Sequence, residues 1–453
     1  MGTWSITKLS NIEFKRVEAE FYQHTFINAK KIAGTKSFKQ FGVKVFHPAE
    51  VRRIYSDEGT LQIVLAQNVR DNVMDWSSKR MMDKSFLPII SRNKLEEGDV
   101  LVTRSGANYG QTSVITIEPQ SNNLFACADV LILKSGIIGG PLLSTYLNSK
   151  IGKTLMNRGV YGAGQPHIAP NYISEIPFPE FLLNNKEEVD DLVYKSRRLQ
   201  EDSQTLYQQA TALLEQELGL DKISFDKPKS YKAKFSEVVV NKRIDSDFYN
   251  PDYEKLQAHL KTLNHAKLKS ISTLKSGFAF SSKKYKTFGK QIVRIQNISG
   301  DRINLKRNPI YYSDTDLKGL NNFRINKGDT LMAMTGNTIG NCSLNTTDEE
   351  LYLNQRVLAV SPDLNQVSAE YLNLVLRNVV FKTFIERELV GGAQPNISLE
   401  FISNQIIPIV GTDRMKQISD LMKEHYTCID TSNQLLQEAK NRVEQLIEAA
   451  ANQ

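Results

Sequence analysis

The sequence predicts an α+β chain: a tandem duplication of two globular domains separated by two long, antiparallel, coiled-coil-like helices. Three observations carry the prediction. Motifs recur at about half the chain length, short β-like runs alternate with Gly and Asn in each half, and a long amphipathic helix closes each half. The chain has 453 residues, 40% hydrophobic and 24% charged, which is the composition of a globular protein. The expected domains are residues 1–180, 181–221 (first long helix), 222–409 and 410–453 (second long helix).

The repeat comes first, because a missed repeat misassigns the whole fold. Arg16-Val17-Glu18-Ala19-Glu20-Phe21-Tyr22 recurs as Arg243-Ile244-Asp245-Ser246-Asp247-Phe248-Tyr249, 227 residues on. Ile63 to Val69 recurs as Ile292 to Ile298, sharing Gln-Asn, at 229. Glu97-Gly98-Asp99-Val100-Leu101 matches Lys327-Gly328-Asp329-Thr330-Leu331 at 230, and Gly106 and Gly110 match Gly336 and Gly340. Gly162-Ala163-Gly164-Gln165-Pro166 matches Gly391-Gly392-Ala393-Gln394-Pro395, and Leu206 to Ala210 matches Leu435 to Ala439, both at 229. Coincidence among short motifs does not keep six matches collinear.

Each half then reads in the same order. Strand-like runs come first: 61–69, 100–104 and 130–133 in one half, 291–295 and 330–334 in the other, with Gly and Asn as turn residues between them. A helical segment follows, 142–158 or 369–389, then the Gly-Gln-Pro turn and a Pro-containing strand, 173–178 or 402–409. The closing segment 186–218 has Leu192, Leu199, Leu206 and Leu213 every seventh residue, preceded at three residues by Val189, Ser196, Ser203 and Ala210. This is a heptad seam whose small side chains let two backbones approach. The second seam, over about 414–448, is Ile418, Leu421, His425, Cys428, Ser432, Leu435, Ala439 and Leu446. A helix of about thirty residues rises roughly 45 Å. Two such stripes at equivalent repeat positions favour an intramolecular antiparallel pair, with a globular domain at each end.

Composition removes several classes. No run of about 18 apolar residues is present, so no membrane-spanning helix is expected. The first eight residues lack an apolar signal region, so no secretion is expected. Cys127, Cys342 and Cys428 stand far apart, without metal spacing or an even disulfide set, which fits the cytoplasm.

The net charge of +7 is unevenly placed: +5 over 1–180, −5 over 181–221, +9 over 222–409 and −2 over 410–453. Basic globular parts attract a polyanion, because neutralising phosphates releases counterions. The candidate contacts are polar and basic residues outside regular elements. Arg104, Ser105, Asn108 and Tyr109 lie in one Gly-framed loop, and Thr335, Asn337 and Thr338 in its counterpart. Arg reads guanine bidentately and Asn or Gln reads adenine. Arg52, Arg53, Lys283, Lys284 and Lys286 suit phosphates, which position the duplex without specifying it. Plain turns and a solvated lysine face remain the competing account of these stretches. Gln165 and Gln394, with the preceding Arg158 and Arg387, sit at a helix stop made by Gly and Pro. A structural role is favoured for this segment over contact with DNA.

Catalytic signatures are missing. Gly152-Lys153-Thr154 resembles the end of a phosphate-binding loop, but Leu147 stands where the first glycine is required. No GxGxxG sits on a strand-to-helix turn, no amino-methyltransferase Asn/Asp-Pro-Pro-Tyr/Phe string occurs, and no paired-His metal spacing occurs. Asp99 and Asp329 repeat, each in a Gly-Asp turn before a strand, a common structural setting.

Taken together, the duplicated halves, the Gly-Gln-Pro-His-Ile and Ala-Gln-Pro-Asn-Ile turns, the Ile-Pro-Phe-Pro run at 176–179 and the long helices resemble the specificity (S, HsdS) subunit of Type I restriction-modification systems. The resemblance covers essentially the whole chain. It departs at Ile407-Pro408-Ile409-Val410, which lacks the second proline, and in less typical spacing over residues 30–60. It implies a non-catalytic subunit with two target-recognition domains, each reading half of a split, asymmetric site on double-stranded DNA. It also implies helices that set the gap and dock methyltransferase (M) subunits, with restriction/translocase (R) subunits in the complex. S-adenosylmethionine, ATP and magnesium then belong to those partners, and this chain binds no cofactor. The alternatives are the specificity subunit of a Type IIB-like enzyme, a nuclease or methyltransferase in its own right, and an interaction scaffold.

Overall fold

The computed structural model describes residues 12–13, 16–76, 78–106, 108–116, 123–162, 166–223, 230, 232–389 and 397–451. It is a mixed α/β chain in two compact units, Met1–Glu201 with Cys428–Gln453, and Asp202–Thr427.

In the first unit an antiparallel sheet runs in the order Lys44–Phe46, Val130–Lys134, Val100–Thr103, Thr112–Val114. Val100 pairs with Leu133 and Leu101 with Ile132. Alternate side chains serve two different cores. Val100, Val102, Leu131 and Leu133 face a helical core with Phe38, Tyr146 and Phe178. Leu101, Val130 and Ile132 face a second, three-stranded sheet through Ile63, Val64 and Phe125. Burial on both faces is why these strands read as unbroken apolar runs.

The second unit has an antiparallel sheet of the order Ser272–Ser276, Val357–Pro362, Thr330–Ala333, Cys342–Leu344. Met332, Leu358 and Val360 meet the helical core, whereas Leu331, Ala333, Val357 and Ala359 meet Val293, Leu351 and Leu353. In both units a strand of the second sheet pairs in parallel, Leu61–Val64 with Leu124–Ala126 and Lys290–Val293 with Leu351–Leu353.

The structure explains several of the repeated motifs. The expected strand 61–69 ends at Val64, because the buried Asn68 turns the chain. Its Oδ1 accepts from Leu65 N (2.9 Å) and its Nδ2 donates to Asp75 O (2.8 Å). Asn297 makes the matching bonds to Arg294 N (2.9 Å) and Asn304 O (3.0 Å). The Gly-Asp turns are structural as well: Asp99 Oδ2 accepts from Glu96 N and Asp329 Oδ2 from Asn326 N, each at 2.8 Å.

Two expected helices are each broken in two. Gly140–Asn148 and Lys150–Arg158 meet at extended Ser149, whose hydroxyl caps Gly152 N. Ala369–Arg377 and Val379–Leu389 meet at extended Asn378, whose Oδ1 accepts from Val380 N. Periodicity runs through such a break because the apolar face is kept on both sides of it. The Pro-containing runs also differ: Pro170–Ser174 and Leu399–Ser403 are short helices, and only Ile406–Pro408 is a strand.

The closing helices are Lys186–Glu217 and Thr412–Ala451. Within the first unit Ser196 Oγ lies 2.8 Å from Ser432 Oγ and Arg442 pairs with Glu188 at 3.0 Å, which is antiparallel pairing of those segments. Within the second unit Ser203 Oγ lies 2.8 Å from His425 Nδ1 and Arg414 pairs with Glu217 at 3.1 Å, again antiparallel. Val189, Ser196, Ser203 and Ala210 are buried, whereas Leu192, Leu199, Leu206 and Leu213 are half-buried. The small residues are therefore the centre of the contact, as close backbone approach requires.

Candidate nucleic-acid interface

The two Gly-framed loops leave the ends of equivalent central strands. Gly110 N donates to Thr103 O (2.8 Å) in one, and Gly340 N to Ala333 O (2.9 Å) in the other. Tyr109 N bonds Gly106 O at 3.2 Å and Ile339 N bonds Gly336 O at 3.1 Å. Gly106 and Gly336 both have φ of +81° with open space where a Cβ would stand, so conformation and not crowding selects glycine there. The loop tips Asn108 and Asn337 are exposed, whereas Tyr109, Thr335 and Thr338 are half-buried. The Thr335 hydroxyl is buried with no hydrogen-bond partner among the described residues.

In the first unit the loop joins a polar cluster. Asp129 accepts from Arg53 and from Ser105 Oγ (3.1 Å), and Arg104 Nη1 lies 3.0 Å from His47 Nε2. Burial alone would raise the Asp129 carboxyl. The Arg53 hydrogen bond and charge, with Ser105 and Arg104, hold it below the ordinary range. Arg53, Arg104 and Ser105 are thus brought together around one carboxylate, and Arg52 is exposed beside them. His47 and Asp129 were not singled out in the sequence. The available signal was that Asp129 immediately precedes the strand-like run 130–133.

In the second unit Lys283, Lys284 and Lys286 are exposed near a short turn, Ser282–Lys284. Lys284 pairs with Asp316 at 3.0 Å. Among the described residues no hydrogen bond links these lysines to the Thr335–Thr338 loop. Gln165 and Gln394, and most of both Gly-Gln-Pro segments, lie outside the described residues.

Arg158 and Arg387 are placed otherwise than the DNA-contacting set requires. Arg158 is buried, its Nε donates to Phe21 O (3.1 Å) and its guanidinium stacks 4.0 Å from the Phe21 ring centre. Arg16 covers the same ring at 4.7 Å and donates to Val160 O (3.0 Å). In the second unit Arg387 donates to Phe248 O (3.0 Å), and Arg387 and Arg243 each lie 4.5 Å from the Phe248 ring. The repeated Arg-x4-Phe-Tyr motif is therefore an arginine–phenylalanine–arginine clamp, closed by Tyr22 OH on Arg16 O and Tyr249 OH on Arg243 O. Desolvated stacking of this kind contributes about 2 kcal/mol. It ties residues near the start of each domain to the end of its second helix.

Comparison with known proteins finds a family match in the second half of the chain. Residues 261–441 match the model of the Type I restriction modification DNA specificity domain. The second half of the chain is thus similar to a specificity domain of that family. No curated protein matches the chain. Among solved structures, the S subunit of a Type I restriction-modification system from M. genitalium is similar over 92% of this chain and 95% of that one, with 13% identity and a TM-score of 0.45. The HsdS subunit from Thermoanaerobacter tengcongensis is similar over 91% of this chain and 96% of that one, with 12% identity and a TM-score of 0.29.

The resemblance read from the sequence agrees with the family model. The matched specificity domain includes the Met334–Gly340 loop, the lysine turn, Arg387 and much of the second closing helix. No helix among the described residues is long and apolar enough to cross a membrane.

Proposed function

We propose that this chain is the non-catalytic, sequence-specific DNA-binding specificity subunit of a Type I restriction-modification enzyme. It reads a bipartite, asymmetric site on double-stranded DNA and docks methyltransferase and restriction subunits. S-adenosylmethionine, ATP and magnesium are used by those partners. The functional division is the fourfold one, with recognition domains 1–180 and 222–409 and spacers 181–221 and 410–453.

One observation carries the reading beyond the family match. Two loops share one backbone frame yet carry different side chains, Arg104-Ser105 and Asn108 against Met334-Thr335 and Thr338, with only Asn108 and Asn337 exposed at the tips among the described residues. Equal frames with unequal side chains suit two halves that read different bases, and tandem duplication is the simplest origin of the shared frame. The test is replacement of the loop residues in the assembled complex. Arg104→Ala or Asn337→Ala relaxes a single half-site, by about 1–3 kcal/mol for a base contact. A uniform loss over all sequences marks a phosphate contact and contradicts base reading at that residue.

The closing helices act as the ruler. Removing one heptad from each shortens the rise by about 10 Å at 1.5 Å per residue. That equals about three base pairs at 3.4 Å each. The selected spacer is expected to shorten while both half-sites stay unchanged. An unchanged spacer in a folded, assembled variant contradicts the ruler.

A further inference from the structure

The turn that precedes the last strand of each central sheet has the same main-chain frame in both units and opposite chemistry at its tip. In the first unit Cys127 N donates to Val64 O (3.0 Å), Val130 N to Cys127 O (3.0 Å) and Arg104 N to Asp129 O (2.8 Å). In the second, Asn354 N donates to Val293 O (3.1 Å), Val357 N to Asn354 O (2.9 Å) and Met334 N to Arg356 O (3.0 Å). Ala128-Asp129 is therefore replaced, bond for bond, by Gln355-Arg356. The second turn is also braced from beneath. Gln355 N donates to Phe278 O (2.8 Å), and a Cβ at Gly277 would stand 2.1 Å from the Asn354 carbonyl oxygen. Only glycine admits that approach of two backbones.

The main chain is fixed and the side chains are not. Gln355 and Arg356 are both exposed, and the Arg356 guanidinium has no partner among the described residues. Asp129, in contrast, is committed to Arg53 and Ser105. The bond from Met334 N also places Arg356 directly beside the loop that carries Thr335 and Asn337. A rigid base, an uncommitted planar donor and a neighbouring polar loop are what bidentate reading of a guanine edge needs.

We propose that Arg356 is a specificity-determining residue of the second recognition domain, donating to the O6 and N7 acceptors of a guanine in that domain's half-site. The inference rests on the reading that the domain binds duplex DNA. The charge reversal from Asp129 to Arg356 then accounts for part of the asymmetry between the half-sites.

The test selects bound duplexes from random DNA with the chain assembled with its methyltransferase partner, as wild type and as Arg356→Ala. The wild type is expected to yield a split motif with a guanine that the variant no longer requires. Discrimination at that one position falls roughly 5- to 150-fold, and the other half-site is unaffected. Thermal unfolding of the variant should match the wild type, because the side chain is exposed. A wild-type motif that survives unchanged in Arg356→Ala overturns this inference alone. So does an equal loss over all sequences with a salt slope smaller by about one, the mark of a phosphate contact. Absence of any motif from the assembled wild type overturns the DNA-reading function itself, and this inference with it.

Discussion

Replacing Asp301 by Asn is expected to destabilise the second unit by about 1.5–3 kcal/mol, the worth of a hydrogen bond to a charged group. His425 is buried on the second closing helix. Its Nε2 faces the Asp301 carboxylate at 2.5 Å, and its Nδ1 lies 2.8 Å from both the hydroxyl and the carbonyl of Ser203. Asp301 O also accepts from Leu344 N (2.8 Å), so the pair joins the closing helices to the sheet within this unit. Burial alone would raise the Asp301 carboxyl. The His425 hydrogen bond and charge, with Arg377 and Arg302, outweigh it and hold the group below its ordinary value.

A lowered pKa in the folded unit gives stability that is fully present above the unfolded-state value of about 4. That stability is lost as pH falls through the folded value. Urea unfolding of wild type and Asp301→Asn should therefore differ above about pH 4 and converge on acidification below it. A difference that persists undiminished well below the carboxylate range contradicts the coupling.

Arg158→Ala is expected to cost the first unit about 3 kcal/mol. It removes a desolvated cation–aromatic contact and a donor to a buried carbonyl, and it leaves Glu13 without one partner. Arg158→Lys keeps the charge but loses the planar face, so it recovers only part of the loss. In the second unit Arg387→Ala has a smaller effect, about 1–2 kcal/mol, because Arg387 is only half-buried. The readout is the thermal midpoint. A variant that unfolds like wild type but binds DNA poorly would restore Arg158 to the contacting set.

How much of this was legible depended on sequence distance. The Arg-x4-Phe-Tyr repeat could be seen, but its role could not. Arg158 and Arg387, which complete each clamp, lie about 140 residues further along and are marked only by their place before the Gly-Gln-Pro segments. The heptad was legible as a stripe with small residues along one side. Leucine spacing draws attention to Leu192 and Leu199, whereas close helix contact buries Ser196 and Ser203. The helix breaks at Ser149 and Asn378 were hidden because one polar cap does not disturb an apolar period. The glycine loops were legible from their own residues. The companion turn was not, since Asp129 and Arg356 are ordinary surface residues until the two backbone frames are compared. The Asp301–His425 pair spans 124 residues and left no signal in either segment.

The most direct test of the central claim is selection of bound sequences from random duplex DNA by the chain assembled with its methyltransferase partner. The expected result is a split, asymmetric motif with a fixed gap. Exchanging residues 222–409 for those of another specificity subunit should change one half alone. A demonstrably assembled complex that selects no motif would contradict DNA reading by either half of this chain.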